Sequence, residues 1–210
     1  MKLVGVYNPP TLVTMAGLLS GFGACWLGIA GQLELAVVAL IWAGVFDLFD
    51  GMLARRTKMT ARESAFGVQI DSIVDMVSFG VAPVLVAISF GMGGVLGVVA
   101  GLLYVCAAAQ RLAFFNVLQE ESREESGTGL TSYTGLPVTF SALIFGTLLA
   151  LRDVMSAEGF ALFLPLLCIL VSVLYVYPLK IPKPKGAAYA FFPLLACLFT
   201  AYWLVQYAGR

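Results

Sequence analysis

The sequence predicts an all-α fold, a polytopic bundle of transmembrane helices. Three observations carry that prediction. Of 210 residues, 60% are Ala, Val, Ile, Leu, Met, Phe, Trp, Tyr or Cys, and only 11% are charged. A soluble domain of this size carries about 25% charged residues. Mean hydropathy is +0.95, and the apolar residues fall in runs close to the roughly 20 that a helix needs to cross a bilayer core. Polar surface is too scarce to clothe a water-soluble globule, which excludes soluble enzymes, disordered chains and nucleic-acid binders. Twelve basic and twelve acidic residues cancel, so net charge names no partner. The placement of each charge is informative, because a charge inside lipid needs a reason.

Seven spans are predicted, near residues 11–30, 33–54, 67–90, 93–118, 133–151, 159–177 and 187–207. The start, MKLVGVYNPP, lacks a strongly basic leader and is interrupted by Asn8-Pro9-Pro10. A retained first helix with no cleaved signal is therefore expected. Only the turn Gly91-Met92-Gly93-Gly94 separates the third and fourth spans. Residues 119–128, QEESREESGT, are expected to form a solvated linker, with a lid or partner contact as the alternative. No long extramembrane segment remains. The chain is therefore read as one integral membrane domain over residues 1–210, with its core at 10–177 and an additional C-terminal span at 187–207.

Lys and Arg set the orientation, because cytoplasmic loops carry an excess of them. Arg55, Arg56, Lys58 and Arg62 share one loop, Arg123 follows the fourth span, and Lys180, Lys183 and Lys185 follow the sixth. With Lys2 inside, seven spans put all three loops in the cytoplasm and only Arg152 and Arg210 outside. The expected setting is a prokaryotic cell membrane, with the site on the cytoplasmic side. Cys25, Cys106, Cys168 and Cys197 lie in apolar runs without CxxC spacing and are read as reduced packing residues. The chain has no His, which removes the commonest general base and metal ligand.

Four acids stand out. Asp47 and Asp50 close the second span, and Asp71 and Asp75 open the third. Spacings of three and four put each pair on one helix face. The helices are consecutive and antiparallel, so the pairs can converge at one depth. Four carboxylates there repel, and the faces carry no matching cluster of Lys or Arg. A divalent cation, or a pair, answers the repulsion. All-oxygen ligands favour Mg²⁺, Mn²⁺ or Ca²⁺ over zinc, and two such ions commonly serve phosphoryl chemistry. Intramembrane acids also build cation and proton pathways in transporters, and helix-end acids can simply face water. Gly51 and Gly67 beside the acids, with the small Ala54, leave room for a bulky ligand to approach the backbone. A bare ion path needs no such shelf.

Together these residues read D-x2-D-G-x2-A-R-x11-G-x3-D-x3-D. This resembles the signature of the CDP-alcohol phosphotransferases, with all eight fixed positions present. The connecting stretch, residues 56–66, is longer than in the usual form. Asp75-Met76-Val77-Ser78-Phe79-Gly80-Val81-Ala82-Pro83, Arg111-Leu112-Ala113-Phe114-Phe115-Asn116 and Gly135-Leu136-Pro137-Val138 further resemble the bacterial and archaeal phosphatidylserine synthases. Phe114 stands where those enzymes have a second Arg.

The resemblance implies a six-helix core plus about one extra helix. It also implies metal-dependent transfer of a phosphatidyl group from CDP-diacylglycerol to L-serine, giving phosphatidylserine and CMP. Asp47, Asp50, Asp71 and Asp75 would hold a pair of Mg²⁺ or Mn²⁺ ions, and Asp75 would also be the base. Gly51, Ala54, Arg55, Gly67 and Thr14 would receive the nucleotide donor. Arg111 would contact a phosphate or the serine carboxylate, against the alternative of snorkelling to headgroups, and Asn116 would add a hydrogen bond. A homodimer among membrane lipids is implied, and nucleic acid is not a partner. The alternatives are another acceptor, such as glycerol 3-phosphate or inositol phosphate, and a cation or proton transporter.

Overall fold

The computed structural model describes residues 4–126, 132–182 and 188–209. The predicted helical bundle is what forms. Among the described residues, six helices are long and apolar enough to cross a membrane. The first is α1 (Pro9–Ile29), whose start is built by Asn8. The Asn8 side chain accepts from the Thr11 backbone N–H, and proline occupies the first turn, where a missing N–H costs nothing. Helix α2 (Leu33–Ala54) matches its predicted span residue for residue.

The third span differs from expectation at its start and in its middle. It begins earlier, as α3 (Ala61–Asp75), because Thr60 and Glu63 form a reciprocal capping box. After Asp75 the chain makes a π-helical turn, Met76–Val81, before resuming as α4 (Ala82–Ser89). Pro83 explains the turn. A helical proline lacks an N–H and its ring clashes with the carbonyl four residues back, here that of Phe79. Widening the helix relieves the clash, and the Ala82 N–H bonds back to the Val77 carbonyl instead.

Helix α5 runs Gly94–Ser126. Its length corrects the expected linker: the acidic stretch is helical as far as Ser126, because Gln, Glu and Arg are good helix formers. Residues 127–131, including the end of that stretch, lie outside the described residues.

The fifth predicted span is also altered. A short strand β1 (Ser132–Thr134) precedes a loop, then α6 (Phe140–Leu148) and a 3-10 turn, Leu149–Asp153. Together α6 and the turn rise roughly 23 Å, short of a full bilayer core. The loop makes up the difference by lying within the bundle at the depth of the acids. Irregular backbone survives there only if protein satisfies it. The Gly135 N–H donates to the Leu179 carbonyl at 2.8 Å, and the Leu136 N–H to the Leu174 carbonyl at 3.0 Å. Gly135 has φ +80°, and a Cβ on it would lie 2.6 Å from the Tyr175 carbonyl oxygen. Only glycine fits that approach.

Helix α7 (Ala157–Val176) leads to β2 (Lys180–Pro182), which pairs antiparallel with β1. Helix α8 (Ala188–Ala208) packs along α2 and α6. Trp203 is fully buried and donates to the Gly146 carbonyl at 2.8 Å. Leu162, Leu166, Leu170 and Val173 on α7 are all at least half exposed, as a lipid-facing stripe requires. Cys25 and Cys168 are buried packing residues as expected, but Cys106 and Cys197 sit on the bundle surface. The chain is an integral membrane protein.

Candidate active site

At one end of the bundle the helices enclose a cavity of about 490 Å³. Four acids reach it from α2 and α3. Asp47, Asp71 and Asp75 each present a carboxylate oxygen, and these atoms all lie within 4.8 Å of one another. Asp47 and Asp75 are within hydrogen-bonding reach of each other. Asp50, 6% exposed, stands one helical turn beyond Asp47, with Asp71 beside it and the Thr14 hydroxyl against its carboxylate. The predicted convergence of both pairs is therefore present, as a tight trio with Asp50 at its flank.

Each of the eleven metal-, donor- and acceptor-site residues expected from the sequence lines this cavity. Beside the acids, Gly51, Ala54 and Arg55 continue the α2 face, Gly67 opens the α3 face, and Thr14 faces them from α1. A Cβ added at Gly67 would meet nothing within 4 Å, and one at Gly51 would meet only the Arg55 guanidinium at 3.6 Å. The glycines border open space, so their missing side chains widen the cavity rather than tighten helix packing.

Arg111 is buried at 6% exposure and does not snorkel. Its Nε donates to the Leu136 carbonyl at 3.0 Å, and its guanidinium lies 4.8 Å over the Phe115 ring. It is also a charge neighbour of Asp47. Asn116 reaches across to α3, its Nδ2 donating to Ser72 Oγ at 2.7 Å. Phe114 points away from the cavity and is 54% exposed. An Arg at that position would face outward on this backbone.

Sequence reasoning missed several lining residues. Asn8 closes the cavity at the start of α1, and Thr139 and Phe140 enter from the loop before α6. The Asn-Pro-Pro start was a readable signal for Asn8 as a cap. Nothing local marks Thr139. Phe192 and Ala196 of α8 supply an apolar flank together with Ile41 and Leu143.

The fold and site define a class: a membrane-embedded helical protein whose carboxylate cluster opens into a cavity floored by small residues. The chain matches the CDP-alcohol phosphatidyltransferase family over residues 7–175 and belongs to it. It is 30% identical over 188 residues to an archaetidylserine synthase of Methanothermobacter thermautotrophicus, covering 88% of this chain and 74% of that protein. It is also 38% identical over 109 residues to a CDP-diacylglycerol–serine O-phosphatidyltransferase of Saccharomyces cerevisiae, covering 51% of this chain and 38% of that one. A protein of the same name from Helicobacter pylori is 29% identical, covering 69% of this chain and 58% of that one. The match thus spans under two thirds of the second and third relatives. Membership of a transferase family bears out the enzyme reading over that of a transporter.

Proposed function

We propose that this protein transfers a phosphatidyl group from CDP-diacylglycerol to the hydroxyl of L-serine, releasing CMP. The observation that carries the reading is the acidic trio in a cavity lined by every residue of the family signature. The relatives' names add serine as the alcohol. The whole described chain acts as one catalytic domain.

The donor set fits a divalent cation: three carboxylates within 4.8 Å of one another, with Asp50 alongside. Hard oxygen ligands of this kind suit Mg²⁺ or Mn²⁺. Asp47, Asp50, Asp71 and Asp75 would hold one or two such ions, which when bound neutralise negative charge on the donor's pyrophosphate.

The chain's own residues supply the rest. Gly51, Ala54 and Gly67 leave space for the cytidine nucleotide, while Thr14 and Arg55 contact its phosphates. Asp75 accepts the serine hydroxyl proton as the oxygen attacks the lipid-bearing phosphorus. The bond from that phosphorus to the CMP phosphate oxygen breaks, and CMP leaves with the electron pair. Arg111 holds the loop at Leu136 beside the reacting groups and attracts the serine carboxylate. A pocket served mainly by Arg55 and Arg111 suits serine better than a dianionic acceptor such as glycerol 3-phosphate or inositol phosphate. The apolar flank keeps water scarce, limiting hydrolysis of the donor. The protein works as a homodimer in a prokaryotic cell membrane, with the site on the cytoplasmic side.

Purified protein offered CDP-diacylglycerol with serine, glycerol 3-phosphate and inositol phosphate in turn tests the acceptor. Serine alone should give product. Chelation should stop the reaction, and Mg²⁺ or Mn²⁺ should restore it. A preference for either phosphorylated alcohol, or undiminished turnover after chelation, would contradict the reading.

A further inference from the structure

Two tyrosines that do not line the cavity nonetheless join the segments on either side of it. Tyr104 of α5 is fully buried and Tyr175 of α7 is 2% exposed. The Tyr104 hydroxyl donates to the Phe79 carbonyl at 3.0 Å and lies 2.8 Å from the Tyr175 hydroxyl. Each hydroxyl has one proton. With the Tyr104 proton given to Phe79, its oxygen accepts from Tyr175. The Tyr175 hydroxyl also lies 3.3 Å from the Val138 carbonyl, a second acceptor for the same proton.

Both ends of this chain of bonds matter to the site. Phe79 lies in the π-turn that begins at the residue after Asp75. Pro83 has no N–H to give the Phe79 carbonyl, so the Tyr104 hydroxyl takes the place of a helical donor. Val138 lies in the loop whose Pro137, Val138 and Thr139 line the cavity. Arg111 holds the same loop at the neighbouring Leu136. A π-turn lets the helix after Asp75 change direction, and such turns recur at functional sites. Its geometry needs an outside support, and here that support is shared with the opposite cavity wall.

We propose that Tyr104 and Tyr175 are positioning residues: a hydroxyl latch that fixes Asp75 relative to the loop at residues 136–139. The latch rests on the role given above to Asp75. Removing one hydroxyl while keeping the ring should let the two walls drift. Small misplacements of a reacting group cost rate steeply.

The test compares Tyr104→Phe and Tyr175→Phe with the wild type. Each variant should lose roughly tenfold in kcat, with KM for donor and alcohol within about twofold and the thermal midpoint nearly unchanged. A purely structural role would instead lower the midpoint and the active fraction, leaving kcat per folded molecule unaltered, and would overturn the proposal. Amide exchange supplies a readout independent of activity. Tyr104→Phe should speed exchange at residues 136–139 as well as 76–81, and Tyr175→Phe should do so in both stretches too. Faster exchange confined to the stretch touched by the substituted residue would also overturn it. Wild-type acceptor choice is measured beside these, so a failed serine assignment stays distinct: the latch is read as a ratio to wild type with whichever alcohol reacts.

Discussion

In the proposed reaction, Asp75 is the residue that takes the proton. It is 9% exposed, faces Asp47 and Asp71, and has no histidine in the chain to share proton transfer. Asp75→Asn keeps the shape of the side chain but removes its basicity. Turnover should fall by about a hundredfold or more, while the thermal midpoint in detergent stays close to wild type. Normal turnover by this variant would remove Asp75 as the base. Gly67 gives a prediction with opposed signs. Alanine is a better helix former by roughly 1 kcal/mol, and its Cβ meets no protein atom here. Gly67→Ala should therefore raise the melting temperature slightly while raising KM for the CDP-lipid several-fold. Improved stability with unchanged KM would show that the open space at Gly67 is not where the donor sits. These site residues were legible because helical spacing is local: acids three and four apart must share a face wherever the helix packs. Arg111 was legible only as a cation near a span end, with a phosphate or serine-carboxylate contact weighed against snorkelling, and its burial is a finding of the structure. Its bond to Leu136 joins residues 25 apart in sequence, a separation that no local pattern encodes.

Among the elements, the break after α3 is the most informative. Hydropathy reads residues 67–90 as one span, and by composition that is correct. Pro83 was visible, but the π-turn depends on what supports the freed carbonyl, and the Tyr104 hydroxyl comes from another helix. The turn also needs α1 close by. A Cβ on Gly21 would lie 2.9 Å from Ser78 Cα, a backbone atom that cannot simply rotate away. Gly21→Ala should push α1 from the turn and cost roughly 1–3 kcal/mol, measured as a lower unfolding midpoint. Full stability would mean that the two helices can separate freely. The fifth span shows a second limit of local reading. Its apolar composition suggested a continuous helix, while backbone bonds to Leu174 and Leu179 permit a buried loop and a short α6. The acidic stretch at the end of α5 departs from expectation for a different reason. Charge density suggested a linker, yet the same residues have high helix propensity and extend α5 to Ser126.

At the scale of the molecule, the two ends of the bundle do different work. One end holds the acids. At the other, Arg152 bridges Glu34, which is 1% exposed, and Asp153. Its guanidinium lies 5.1 Å over the Phe90 ring and 5.6 Å over Trp203. This clamp ties the start of α2 to the end of the 3-10 turn and to α8, closing the bundle far from the cavity. Removing one partner of a buried ion pair is costly, about 3–5 kcal/mol for fully buried pairs, and less here because Arg152 is 16% exposed. Arg152→Ala should lower stability by roughly 2–3 kcal/mol and leave kcat and KM of the folded protein unchanged. A change in KM without loss of stability would contradict this division of labour. The helical class, the membrane setting and the acidic site were all readable from sequence, because each depends on composition or on short spacing. The clamp and the tyrosine latch were not, because they join helices distant in the chain.

The cavity is proposed to join serine to a CDP-activated lipid. The most direct measurement follows purified protein with CDP-diacylglycerol, labelled L-serine and Mg²⁺ or Mn²⁺, counting label in the lipid fraction against CMP released. One labelled lipid per CMP, lost in Asp75→Asn, is the predicted result. CMP release without label in lipid, or no release at all, would contradict the account.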